Sequence, residues 1–213
     1  MVSRMCLSLQ NKLNKKAVFI DRDGVINKDS KAYIKSWSEF IFLPRSISAV
    51  KELTRHHFHS YIITNQSVIN RKMVSLETLK TIHTNMMAEL ASAGGRIDDI
   101  FFCPHVPEDR CCCRKPKPGL VLSAQKKHRI HLPSAYMIGD SAKDIMCAKL
   151  SGCGFTLLVK TGNYAEAVKT LSEKGIVPDY TAIDLYDAAA WIIDHQESSE
   201  SESAGRVTGI LKN

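Results

Sequence analysis

No apolar run in this chain approaches the roughly 20 residues that a membrane-spanning helix needs. Its first residues, Met1-Val2-Ser3-Arg4-Met5-Cys6, lead into no signal-peptide core. A cytoplasmic protein without a membrane partner is therefore expected. Aromatic residues are few, 7% of the chain with only 2 tryptophans, and the basic residues gather in no single long run. Nucleic-acid binding calls for a concentrated basic stripe, with stacking platforms where the strand is single. It is not expected here, although the net charge of +7 is compatible with a small anionic ligand. No internal repeat is present. The chain has 213 residues, 44% of them hydrophobic and 24% charged, which describes one ordinary globular domain with a sizeable core. The 7 cysteines form no evenly spaced framework. Cys103 lies close to Cys111-Cys112-Cys113 and the others are scattered, a pattern that in a reducing compartment points to a metal rather than to disulfides.

The chain is organised around Ala17-Val18-Phe19-Ile20-Asp21-Arg22-Asp23-Gly24-Val25-Ile26-Asn27. A short run that is apolar on both faces reads as a buried parallel strand. Its carboxyl end delivers Asp21 and Asp23 to the crevice where open α/β sheets bind ligands. Two carboxylates so close repel unless a cation is bound, one of them holds a proton, or both.

Further strands follow the same plan. Pro44 opens a predicted helix with Ile47, Val50 and Leu53 at helical spacing, and His56-His57-Phe58-His59 reads as its solvated end and turn. Tyr61-Ile62-Ile63 is a second strand ending in Thr64-Asn65-Gln66-Ser67, whose hydroxyl and amide groups can donate to an oxyanion. A helix over 76–93 starts after Ser75, and Ile100-Phe101-Phe102 is a third strand. Ala135 to Ile138 is a fourth strand and ends in Gly139-Asp140-Ser141-Ala142-Lys143-Asp144. Asp140 is a candidate cation ligand; Asp144 either supports that ligand or supplies a favourable charge to a helix's first turn. A fifth strand over 156–159, a short edge element from Pro178 and a helix from Leu185 to Ile193 complete the pattern. Residues 1–14 read as a loosely held basic arm, and the Ser/Glu-rich stretch 196–213 as a disordered tail.

After the third strand comes Cys103-Pro104-His105, then Cys111-Cys112-Cys113. Two soft ligands one residue apart, a prolyl turn and a second such pair predict a tetrahedral zinc site made by Cys103, His105, Cys111 and Cys113. Alternation in an extended segment turns Cys112 the other way. Four protein ligands leave no open position, so such a zinc is structural and folds the loop over 103–113. Arg114 and Lys115 follow between that loop and two prolines, immobilised cations that suit phosphate.

Asp21 and Asp23, Thr64, Lys115 and Asp140 each follow a separate strand, and in this order they strongly resemble the haloacid dehalogenase (HAD) superfamily of phosphatases. The resemblance covers about residues 15–190. Asp-Arg-Asp-Gly-Val-Ile-Asn, Thr-Asn-Gln-Ser, Cys-Pro-His and Cys-Arg-Lys-Pro-Lys-Pro-Gly narrow it to the branch of D-glycero-D-manno-heptose 1,7-bisphosphate phosphatases and the histidinol-phosphatase domain. It implies a Rossmann-like, doubly wound parallel sheet sandwiched by helices in three α/β/α layers over 15–195, with a zinc-stabilised loop and no large cap domain.

The resemblance also implies roles. Asp21 is the nucleophile that forms an aspartyl-phosphate, and Asp23 is the general acid and then base. Mg²⁺ is held by Asp21, by the main-chain carbonyl of Asp23 and by Asp140, while Thr64 and Lys115 steady the phosphoryl oxygens. Arg114 recognises the substrate, together with Asp29, Tyr33, Asn65, Gln66, Ser67 and Arg71. The implied partner is a small phosphorylated sugar, met by a monomer: heptose 1,7-bisphosphate in nucleotide-heptose biosynthesis, or alternatively histidinol phosphate or another small sugar phosphate. A zinc-stabilised binding module without catalysis is a third reading, disfavoured because every catalytic position is intact. The chain departs from the branch in its loops. The usual Gly-Tyr is Ala32-Tyr33, Gly-Ile-Ala-Arg-Gly is Val68-Ile69-Asn70-Arg71-Lys72, and Cys112 replaces an aspartate.

Overall fold

The computed structural model describes residues 16–210, with side chains through 200; the predicted N-terminal arm lies outside the described residues. Six parallel strands form one sheet: β1 (Ala17–Ile20), β2 (His59–Asn65), β3 (Asp99–Cys103), β4 (Tyr136–Gly139), β5 (Phe155–Val159) and β6 (Tyr180–Ala182), in the order β3-β2-β1-β4-β5-β6. Parallel strands need crossovers, and helices supply them. They are α1 (Ser46–Arg55), α2 (Leu76–Ser92), α3 (Gly119–His128), α4 (Ala142–Ser151), α5 (Tyr164–Glu173) and α6 (Leu185–Ile210).

Side-chain alternation on β1 divides the core. Val18 and Ile20 face one way and pack with Ile62, Ile138 and Leu157 under Val50 and Leu53 of α1, Ile82 and Met86 of α2, and Ile192 of α6. Ala17 and Phe19 face the other way, with Ile63 and Met137, under Val121 and Ala124 of α3 and Ala148 of α4. Both faces of the sheet are therefore covered, the three-layer arrangement that the apolar runs imply. Leu53 is fully buried in the first layer. Leu53→Ala is expected to lower unfolding stability by about 3 kcal/mol in urea titrations. A loss under about 1 kcal/mol would show that α1 does not pack as described.

Three expectations are refined. α1 starts at Ser46, two residues after Pro44, because Arg45 takes a left-handed conformation with φ 61°. His56 and His57 do form the turn that ends α1, but His59 opens β2 and sits 3.0 Å from Asp98. The tail expected to be disordered from 196 is instead helical to Ile210, as part of α6; residues 211–213 lie outside the described residues. Here Ser198 and Ser199 donate back to the carbonyls of Asp194 and His195, and Gln196 donates to Glu200 one turn on. Polar residues bonded within the helix can extend it without any apolar face to bury.

Between Asn27 and α1 the chain holds only a short turn of 3-10 helix at Trp37–Glu39. No cap domain stands over the sheet among the described residues. The loops at the carboxyl edge are thus the roof of whatever binds there.

Candidate active site

β1 and β4 are neighbours at the point where the winding of the sheet reverses, the place where open α/β sheets leave a crevice. Asp21 leaves β1 with its N–H donating to the carbonyl of Ile138 at 3.0 Å, which registers its carboxylate against the end of β4. Asp140 follows β4 directly, and Asp144 lies in the first turn of α4. Ligand oxygens of Asp21, Asp140 and Asp144 all lie within 4.8 Å of one another. Gly24 turns the chain at φ 83°, and a Cβ on it or on Gly162 would fall on Asp140 Oδ2. Only glycine permits this close approach of two loops to a carboxylate.

Against these three carboxylates stands one ammonium. Lys115 Nζ lies 2.8 Å from Asp21 Oδ1 and 2.6 Å from Asp144 Oδ1, and donates to the carbonyl of Ile63 at 2.6 Å. Burial works against its charge, but Asp144 and Asp21 outweigh it and raise its pKa. Three buried carboxylates and one cation leave a surplus of negative charge. Burial, then the Asp144 and Asp140 charges, push Asp21 well above the carboxylate range despite Lys115. Burial and Asp144 push Asp140 up to about 7. Asp144 Oδ2 accepts from Ser141 N and Oγ, and its buried Oδ1 is paired with the Lys115 ammonium. An uncompensated oxygen trio of this kind fits a hard divalent cation.

The main-chain carbonyl of Asp23 is the group expected at the cation, and its carboxylate has other partners. It is turned to Arg22, whose Nη2 donates to Oδ1 and Oδ2 at 2.8 and 2.9 Å, with Asn27 and Gln66 donating at 2.9 and 2.8 Å. Only its main-chain carbonyl remains for a cation. Burial alone would raise the Asp23 pKa, but the Arg22 charge, then the three donors, lower it. Arg22 is 1% exposed, and its Nη1 lies 3.2 Å from His83 Nε2. A guanidinium only donates, so this His83 nitrogen is the acceptor and the ring proton is assigned to Nδ1. Burial, then the Arg22 charge, bring the His83 pKa down to about 3, so the ring is neutral.

Asp21, Arg22, Asp23, Lys115 and Asp140 line a cavity of about 520 Å³, with Asp144 and His83 buried outside its lining, and so do all the predicted substrate contacts: Asp29, Tyr33, Asn65, Gln66, Ser67, Arg71 and Arg114. Two of them have other duties. Asn65 accepts from Lys115 N and donates to its carbonyl, at 3.0 and 3.2 Å, and so holds the lysine's backbone. Gln66 Nε2 bridges Thr64 Oγ1 and Asp23, at 2.8 Å to each. The Arg71 guanidinium lies 5.9 Å over the Tyr33 ring, joining the two loops that depart from the family pattern. Lys72, where the branch has glycine, still adopts φ 58°, and Val68 uses its extra bulk to bury against Val74 and Leu79.

Arg22, His83, Lys143, Glu166 and Asn163 carry no signal in the sequence. Arg22 stands between two marked aspartates, yet strict alternation would aim it away from them. The turn at Gly24 brings it back.

Cys103, His105, Cys111 and Cys113 meet as expected. The sulfurs are 3.2, 3.5 and 3.6 Å apart, and His105 Nδ1 lies 3.5 Å from Cys103 and 3.3 Å from Cys113. A tetrahedron with zinc at its centre needs about 3.8 Å between sulfurs and about 3.5 Å from sulfur to nitrogen, so the four could hold that ion after a small expansion. Cys112 is exposed and outside the cluster. Burial opposes ionisation of Cys111, but the Arg114 N–H and the neighbouring thiols bring it down to about 7, while burial holds Cys103 and Cys113 up. Arg114 Nη1 donates to the carbonyl of His105 at 3.1 Å, which ties the cavity's cation to this cluster.

Comparison with known proteins agrees with this geometry. Residues 112–188 match the HAD-hydrolase-like family model. A D-glycero-beta-D-manno-heptose-1,7-bisphosphate 7-phosphatase of Bordetella bronchiseptica is 40% identical over 168 residues, 79% of this chain and 91% of that protein. One from Neisseria meningitidis is 35% identical over 190 residues, 88% of this chain and 100% of that protein. The crystal structure of the D,D-heptose 1,7-bisphosphate phosphatase from B. bronchiseptica, complexed with magnesium and phosphate, superposes with TM-score 0.79 at 37% identity, covering 84% of this chain and 99% of that one. This chain belongs to the family of HAD-like phosphatases of which those heptose-bisphosphate enzymes are members.

Proposed function

We propose that the protein is a Mg²⁺-dependent phosphomonoesterase that removes the C7 phosphate of D-glycero-D-manno-heptose 1,7-bisphosphate, in the cytoplasm and as a monomer. The observation that carries the chemistry is the Asp21 carboxylate, fixed 2.8 Å from Lys115 beside Asp140 and Asp144 at the base of the cavity. The relatives' names supply the sugar.

Asp21 attacks phosphorus through a carboxylate oxygen and forms an aspartyl-phosphate, which divides hydrolysis into two displacements. Bound by Asp21, Asp140 and the Asp23 carbonyl, with Asp144 beside them, Mg²⁺ supplies the positive charge that lets an anionic nucleophile meet an anionic phosphate. Lys115 and the Thr64 hydroxyl steady the equatorial phosphoryl oxygens. Asp23, which Arg22 keeps ionised in the free site, must first take up a proton to give to the leaving C7 oxygen, and as a carboxylate again it takes one from the attacking water. Its grip on Arg22, Asn27 and Gln66 positions it, and it must exchange some of those bonds for the substrate when it acts. Cys103, His105, Cys111 and Cys113 would hold a zinc ion, which would fix the loop that carries Arg114 and Lys115 between β3 and α3.

Arg114 and Arg71 face the same cavity and fit the second phosphate. Phosphate release from heptose 1,7-bisphosphate, measured beside histidinol phosphate, tests the reading. Preference for the bisphosphate is expected. Arg114→Ala should raise KM about tenfold with little change in kcat, and the effect should vanish on a heptose 7-phosphate. Preference for histidinol phosphate would replace this substrate with the alternative one.

A further inference from the structure

The loop after β5 ends at Asn163, which occupies the N-cap position of α5. Asparagine is favoured there because its side-chain oxygen accepts from the first turn of the helix. Asn163 makes no such bond. Its Nδ2 donates instead to Asp140 Oδ2 at 3.0 Å and to Asp29 Oδ2 at 3.2 Å, and its main-chain N–H donates to Asp140 Oδ2 at 2.8 Å. Both side-chain partners are carboxylates, which only accept, so the amide must present its nitrogen.

The consequences lie on either side of the amide. On one side, both donors fall on the same oxygen of Asp140, so Oδ1 is left as the oxygen that can face a cation, and the carboxylate plane is held against rotation. The close approach of Gly24 and Gly162 to Oδ2 shields that oxygen further. On the other side, Asp29 belongs to the segment between Asn27 and α1 that roofs the cavity. One amide therefore joins the cation ligand at the end of β4 to the roof that meets the substrate. We infer that Asn163 is a positioning residue that orients Asp140 toward the cation and couples cation binding to the placement of the Asp29 loop. The inference rests on the proposal that Asp140 is a Mg²⁺ ligand.

The helix-capping role offers a clean test. Serine caps a helix as well as asparagine does but cannot reach two carboxylates with an amide. Asn163→Ser is expected to melt at or above the wild-type temperature while binding Mg²⁺ about tenfold more weakly by calorimetry without substrate. KM for the phosphorylated substrate should rise, and the loss in an Asn163→Ser/Asp29→Ala double variant should be smaller than the product of the single losses. Asp140→Asn serves as the reference and should abolish Mg²⁺ binding. If Asp140→Asn loses the metal while Asn163→Ser binds it like wild type, the positioning role is overturned and the metal site stands. If Asp140→Asn binds Mg²⁺ normally, the assignment of the cation ligand fails and takes this inference with it. A lowered melting temperature with unchanged Mg²⁺ affinity would likewise overturn the positioning role and leave Asn163 as a structural tie between the two loops.

Discussion

Asp21→Asn should release no measurable phosphate, a loss on the order of 10⁴-fold or more, because the amide cannot attack phosphorus and the other carboxylate on Lys115, Asp144, is fully buried outside the cavity lining. The same substitution should stabilise the metal-free protein at neutral pH. In the folded state Asp21 and Asp140 both hold protons more tightly than ordinary carboxylates, Asp140 up to about 7. Between the usual carboxylate range and that value the folded chain binds more protons than the unfolded chain, so stability falls as pH rises through the window. The Asn side chain has no charge to confine. Its advantage in melting temperature should therefore appear near pH 7 and shrink as the pH falls, closing below about 4, where wild-type Asp21 becomes protonated in both states. Added Mg²⁺ should favour the wild type by mass action. Residual turnover in Asp21→Asn would sink the covalent mechanism. An unchanged melting temperature without metal would show that the three carboxylates do not share a surplus of charge.

The second large effect is expected at the cysteine loop. Cys113→Ser, or removal of the metal by a chelator, should abolish stoichiometric zinc and lower the melting temperature on the order of 10 °C. Activity should fall with it, since Arg114 and Lys115 follow Cys113 directly and Arg114 bonds the His105 carbonyl. The loop has little core of its own: Cys111 and Cys113 are only partly buried and Cys112 is exposed. Three sulfurs and one imidazole converge at 3.2 to 3.6 Å, joined otherwise only by weak sulfur hydrogen bonds. Cys112→Ser is the matched control and should leave zinc content, melting and turnover unchanged. Full activity in a zinc-free Cys113→Ser protein would overturn the structural role. Loss of activity in Cys112→Ser would mean that the ligand set is wrong.

Sequence patterns reach far into this protein because its chemistry hangs on strand ends. A parallel strand buried on both faces must be an apolar run, and where the run stops the chain has reached the carboxyl edge of the sheet. Asp21, Thr64, Lys115 and Asp140 could therefore be assigned to one edge before any contact was known. The cysteine pairs were legible for a similar reason, since two ligands one residue apart on an extended segment face the same way. The α6 extension escaped because composition alone marks a Ser/Glu-rich stretch as solvated, which a helix bonded along its own polar side chains also satisfies.

The chain by itself thus marked the buried strands, the polar groups at their ends and the four-ligand loop, which follow from local periodicity and spacing, while the layers and the roles of those groups came through the family resemblance. Only the tertiary structure decided what those groups do to one another. It fixed the Asp23 carboxylate onto Arg22, committed Asn65 to Lys115 and Gln66 to Asp23 and Thr64, and brought Asn163 from beyond β5 onto Asp140 and Asp29. These pairings span up to 134 residues of chain. Most of them join groups carried by different strand ends and loops, which only the assembled sheet brings together and no local pattern of residue types encodes.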